Sequence, residues 1–195
     1  MKVFNESHVQ FAIKELLIGL GVSLRDPNFK DTPARVARSY AEIFSGLYDT
    51  ENKLKEIFKA SFPSTYTGMV IVDNIHCFSM CPHHLLPVEY FIKTGYIANK
   101  KMLGLSKIPR VVELLAKRPE LQETFTQDIC DTLKSYLNPA GVMVVVHGSH
   151  NCLRMRGAKK EDAVMVTSSI SGKFTRPEVR AEFLSLIKSK QLEIQ

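Results

Sequence analysis

The sequence predicts an α+β fold in which a mostly antiparallel sheet is backed by helices. Helical and strand patterns come in blocks rather than alternating. Two amphipathic stripes fill the first fifty residues, a β-β-α-α-β-β run follows, and one helix ends the order. The 195 residues suffice for one sizeable core, with residues 1–60 expected as an N-terminal helical arm and 61–195 as the main domain.

In the first helix Val9, Ile13, Leu16, Leu17 and Leu20 recur at helical spacing, and Gly19 and Gly21 mark its end. Thr32 followed by Pro33 reads as N-cap and first turn of a second helix, whose stripe is Val36, Tyr40, Ile43, Phe44 and Leu47. Both stripes are expected to be core. Thr50 to Gly68 reads as a connection. Met69–Val72 and Val88–Ile97 are strand-like. Ser106 is placed to cap a short helix carrying Ile108, Val111, Val112 and Leu115, and Pro119 to open a longer one with Leu121, Phe125, Ile129 and Leu133. Asn138-Pro139-Ala140-Gly141 is a turn before the strand Val142–Val146, and Ala163–Ser169 is a further strand. Thr175-Arg176-Pro177-Glu178 has the capping-box pattern ahead of a helix with Val179, Phe183, Leu186 and Ile187 inward.

Composition narrows the function. A hydrophobic content of 45% and a charged content of 24% are those of an ordinary globular protein. No apolar run reaches membrane-spanning length and MKVFNESHVQ has no signal-peptide segment, so a cytoplasmic protein without membrane attachment is expected. The net charge of +6 points to an anionic partner. Lysines and arginines are scattered apart from Lys159-Lys160, so a polyphosphate accounts for the excess at least as well as nucleic acid, and no nucleic-acid partner is expected.

The chemistry concentrates in Cys81-Pro82-His83-His84 and His150-Asn151-Cys152, which offer three zinc-type ligands and two spare imidazoles. Catalytic zinc takes three protein ligands and leaves a position for water, whereas structural zinc is closed by four. One tight turn can present Cys81 and His84 to a single ion. If 150–152 is extended, His150 and Cys152 share a face, one to ligate and the other to reach a substrate. Hydrolysis is the chemistry such a pattern suits. His76 and Cys77 would displace the water if they joined, and Cys130 reads as a buried small hydrophobe. His147 has the opposite strand parity to His150 and should face away, and His8 reads as surface.

The stretches Cys81–Pro87, Gly104-Leu105-Ser106-Lys107-Ile108-Pro109-Arg110, Gln122-Glu123 and His150–Cys152 ending in Arg156-Gly157 resemble GTP cyclohydrolase I, as do Asp31–Val36 and Phe44–Leu47. The likeness spans about Asp31 to Ile187 in order and spacing. It implies a tunnelling fold whose subunits close into oligomeric rings, a decamer, with active sites between subunits. It implies zinc-dependent conversion of GTP to 7,8-dihydroneopterin triphosphate and formate, the first step of folate or pterin synthesis. By this resemblance Cys81, His84 and Cys152 ligate Zn²⁺, His150 is the acid at guanine N7, and His83 is a second acid/base near the ribose. Glu123 anchors the guanine, with Gln122 as a second candidate for that pocket. Lys107, Arg110 and Arg156 meet the triphosphate, with Ser106 as cap or phosphate contact, and Arg35 reaches a neighbouring subunit's site. Departures from the family pattern are Pro82 in place of a glutamate, Thr124 in place of an arginine, and Glu89-Tyr90-Phe91 in place of a Gly-Lys segment. The alternatives are another purine or pterin enzyme of that fold, and a zinc-stabilised homologue that binds GTP without turning it over.

Overall fold

The computed structural model describes residues 3–188. Residues 1, 2 and 189–195, the outer ends of the expected arm and main domain, lie outside the described residues. Three helices come first: α1 Glu6–Gly19, α2 Thr32–Ile43 and α3 Thr50–Phe58. Strands β1 Ser61–Pro63, β2 Met69–Met80, β3 Pro87–Ile97 and β4 Lys101–Leu103 follow, then α4 Lys107–Ala116 and α5 Gln122–Leu137. The chain continues through β5 Gly141–His150, the single turn α6 Asn151–Arg154, β6 Met165–Gly172 and α7 Pro177–Lys188. Four strands form an antiparallel sheet in the order β2-β3-β5-β6, and β1 pairs with β4 apart from it. The architecture is α+β, as the blocks of pattern predict.

Alternation along the strands divides the core between the sheet's two faces. Val142, Val144 and Val146 join Phe125, Ile129 and Leu133 of α5 and Val111, Val112 and Leu115 of α4 on one face. Met143 and Val145 meet Phe174 and Phe183 on the other, which α7 covers in part. Gly95 makes that second contact possible, because a Cβ there would lie 2.7 Å from the Phe183 ring. Truncation by Phe183→Ala is expected to cost about 3–5 kcal/mol. For a chain of this size that is a fall in Tm of roughly 6–20 °C, and an unchanged melting curve would show α7 to be dispensable.

Several boundaries differ from expectation for local reasons. The supposed connection after Thr50 contains α3, whose Leu54 and Phe58 are buried in the larger core. Asp31, not Thr32, occupies the N-cap of α2. Helix α5 starts at Gln122 rather than Pro119, with Leu121 at its N-cap. The Thr175 hydroxyl bonds to Gly172 O at 2.8 Å instead of capping α7, and Leu186 of α7 is exposed. Of the α1 stripe only Leu17 is buried, while Leu16 and Leu20 are open to solvent. Of the α2 stripe Phe44 is buried and Leu47 exposed. No described helix is long and apolar enough to cross a membrane.

Candidate metal centre

The loop from Cys81 to Leu86 joins two paired strands and closes on itself. Cys81 N–H donates to Leu86 O and Leu85 N–H to Cys81 O, both at 2.9 Å, with Leu85 at φ +50°. Neither bond needs the N–H that Pro82 lacks, which accounts for proline being accommodated there. The closed turn brings His84 Nδ1 to 3.7 Å from Cys81 Sγ.

Cys152 arrives differently from expectation. β5 ends at His150, paired with Val88, and the next position would face Pro87, which has no N–H for a ladder. The chain therefore turns helical over Asn151–Arg154, with Met155 N–H bonded to Asn151 O at 3.0 Å. The extended arrangement of 150–152 is not formed. Cys152 nevertheless meets Cys81 and His84, their ligand atoms all within 4.8 Å of one another.

This donor set fits zinc. Bonds of about 2.3 Å to sulfur and 2.0–2.1 Å to nitrogen at a tetrahedral angle separate the two donors by about 3.6 Å, beside the 3.7 Å observed for Cys81 and His84. Burial, and then the adjacent Cys81 sulfur, push the Cys152 thiol above its ordinary range. Two neighbouring thiolates repel, and a cation between them relieves that repulsion. Cys77 stays outside the group. It is buried in the core and its thiol is pushed up to about 12, chiefly by burial. His76 bonds to Glu89 at 2.9 Å and stacks on Phe91.

His150 lies beside the metal loop on the sheet face that α5 covers. Its ring is half-buried, with Nε2 2.9 Å from Gln122 Oε1 and Tyr90 edge-on at 6.1 Å. Burial lowers the imidazole's affinity for a proton, and the carboxylate of Glu123 partly opposes that. His147 falls on the opposite strand face, as its parity predicts. His83 and Glu123 are exposed, the latter in the first turn of α5. Gln122 is 1% exposed. Arg156 Nη1 approaches His84 Nε2 at 3.1 Å. A guanidinium only donates, so Nε2 accepts and the ring hydrogen sits on Nδ1, toward Cys81.

Three further candidates, Ser106, Lys107 and Arg110, sit at or near the start of α4. Ser106 stands at the N-cap of α4 with no side-chain cap bond, and Lys107 opens the helix. The far end of α4 is the one near the metal loop, since the Ser79 hydroxyl bonds to Arg118 O at 3.4 Å. Arg110 is therefore set back from that end by about 9 Å along the helix axis, and Lys107 by more. Arg35 pairs with Asp31 at 3.7 Å on exposed α2. Sequence reasoning missed Thr126, Gly148 and Thr167, which surround the Gln122 amide. A glycine inside a strand was the available signal, since it marks a close approach.

The chain is similar to known proteins along nearly all its length. The sequence model of the family described as GTP cyclohydrolase I matches residues 9–188. GTP cyclohydrolase 1 of Streptomyces griseus is 40% identical over 189 residues, 96% of this chain and 92% of that protein. GTP cyclohydrolase 1 of Pelotomaculum thermopropionicum is 44% identical over 191 residues, 96% of this chain and 100% of that protein. A solved structure described as archaeosine synthase QueF-Like in the apo form is 18% identical, covering 56% of this chain and 96% of its own. Its TM-score of 0.44 is too slight to carry a conclusion.

Proposed function

The chain belongs to the GTP cyclohydrolase I family, and from that premise we propose that it converts GTP and water to 7,8-dihydroneopterin triphosphate and formate at the Cys81–His84–Cys152 centre. The meeting of those three donors from two distant segments carries the reading. Zinc held by them would supply Lewis-acid activation of water at neutral pH. The protein's side chains do the rest. His150 delivers a proton to guanine N7, which makes C8 electrophilic, and His83 handles protons near the ribose. The Glu123 carboxylate accepts from the guanine N1–H and exocyclic amine, a pair that adenine does not offer.

Arg156 binds phosphate. Were His84 to hold zinc through Nδ1, the nitrogen nearer Cys81, its ring hydrogen would sit on Nε2, and the Arg156 guanidinium, which only donates, would be free for the nucleotide. Arg156→Ala is expected to raise KM for GTP roughly 10–100-fold, the equivalent of about 1.5–3 kcal/mol, at unchanged zinc content. An unmoved KM would remove Arg156 from the phosphate site.

Lys107, Arg110, Ser106 and Arg35 serve a site shared between subunits. The place of Ser106, Lys107 and Arg110 toward the end of α4 away from the metal loop supports this, as do the unpaired outer edges of β2 and β6 among the described residues. Large apolar side chains left open on one chain add to it: Phe11 of α1 and Leu20 just past its end, Phe78 of β2 and Val166 of β6. Closed rings with a tunnelling fold, a decamer, satisfy those edges and surfaces. Residues 1–60 then act as an arm against neighbouring copies, and the protein works in the cytoplasm in folate or pterin synthesis. The deciding experiment incubates zinc-loaded protein with GTP and follows formate release together with the fluorescence of oxidised neopterin. Zinc-loaded protein that binds GTP yet releases neither would leave only the binding-homologue reading. A fully active monomer on sizing would end the shared site.

A further inference from the structure

The Gln122 carboxamide cannot be turned over. Its Nε2 lies 3.1 Å from Val146 O and 3.0 Å from Met165 O, two carbonyls that only accept, and 3.1 Å from the Thr167 hydroxyl. Thr126 donates to Gln122 O at 2.7 Å and meets Thr167 at 2.6 Å, which fixes the first turn of α5 against β6. The amide oxygen is left facing His150 Nε2 at 2.9 Å. That oxygen only accepts, so Nε2 must carry a hydrogen. Gly148 makes the arrangement possible. A Cβ there would stand 2.0 Å from Gln122 Oε1, so any other residue would drive the amide off the strand.

We infer that Gln122 is the positioning residue of His150, holding the imidazole as its Nε2–H tautomer with Nδ1 as the ring nitrogen that exchanges a proton with the substrate. This rests on the reading of His150 as the acid. Gln122 acts through His150 rather than on the guanine, its two amide hydrogens being taken up by the Val146 and Met165 carbonyls with the Thr167 hydroxyl beside them. The hydrogen that His150 gives away in the reaction is the one on Nδ1, and the Nε2 hydrogen never leaves its bond to Gln122.

The test begins with the unaltered zinc-loaded protein, labelled with ¹⁵N at histidine. The His150 resonances are identified by their loss in His150→Ala, and the Nε2–H tautomer is expected. A Nδ1–H tautomer, or a mixture, overturns the inference whatever the activity. The second arm is Gln122→Leu, expected to lower kcat about 100-fold, the scale of a small misplacement of a catalytic group, with KM for GTP and zinc content held within about threefold. A raised KM at full kcat would make Gln122 a substrate contact. A lowered Tm at full kcat would make it a structural amide. Should the variant not fold, the tautomer still decides. Activity surviving in His150→Ala instead defeats the acid assignment while leaving the tautomer result intact, so the two failures are distinguishable.

Discussion

Cys152→Ser is expected to bind no more than trace zinc and to release no formate from GTP. Three donors is the smallest set that catalytic zinc sites employ. The substitution leaves Cys81 and His84, which one short loop supplies alone. A serine hydroxyl in that half-buried position has no thiolate character and no reason to ionise. Losing even a group that orients a ligand costs about 10–100-fold in affinity or activity, so losing a ligand should exceed 100-fold in both. Cys152 also ties α6 to the loop between β2 and β3, and metal affinity held in the folded state is folding free energy. The Tm gain that zinc confers on the parent protein should therefore vanish in the variant. Metal analysis, product fluorescence and melting with and without zinc read the three effects separately. Full zinc content in Cys152→Ser would mean that another side chain completes the site.

How far this centre could be read from the sequence depended on how local its causes are. Cys81 and His84 were legible because three residues and one turn suffice to join them. The valines of β5 announced a buried strand, and its alternation placed His147 and His150 on opposite faces. The first half of β2 read as strand from Met69 to Val72, but His76, Phe78 and Met80 point to a face that the single chain leaves half uncovered. The reading stopped at Asp73-Asn74, a polar pair at an irregularity between Val72 and Ile75 with Asn74 at φ +58°, beyond which the strand resumes. Helix α3 hid behind a polar start, Thr50-Glu51-Asn52-Lys53, with its anchors Leu54 and Phe58 set late. The shape of residues 150–152 was decided by Pro87, on another strand, and no local pattern carries that information. Gln122 was the least legible. Its partners are two backbone carbonyls, 24 and 43 residues away, and carbonyls look alike in any sequence. The open stripe of α1 is a different matter: helical periodicity found an apolar face that no described residue covers in full.

His150→Ala should separate proton delivery from metal binding. The three donors that come together do not include His150, and its ring is held through Gln122 and Tyr90 rather than by the loop that carries Cys81 and His84. Zinc content should therefore remain at the parent level. Losing a positioned acid or base costs typically 10²–10⁴-fold in rate, and formate release should fall into that range. GTP should still bind, because the carboxylate of Glu123 and the guanidinium of Arg156 are untouched, so the loss should appear in kcat more than in KM. Removing the ring also leaves Gln122 Oε1 buried without a donor, an effect of about 1–3 kcal/mol. Some loss of Tm is expected and does not account for the rate. His150→Asn is the useful companion, since its amide can still donate to Gln122 while being unable to carry a proton to N7. If it regains stability but not turnover, the imidazole is needed for its chemistry. If either variant releases formate at the parent rate, another group protonates the purine, and His83, on the loop between Cys81 and His84, is the next to replace.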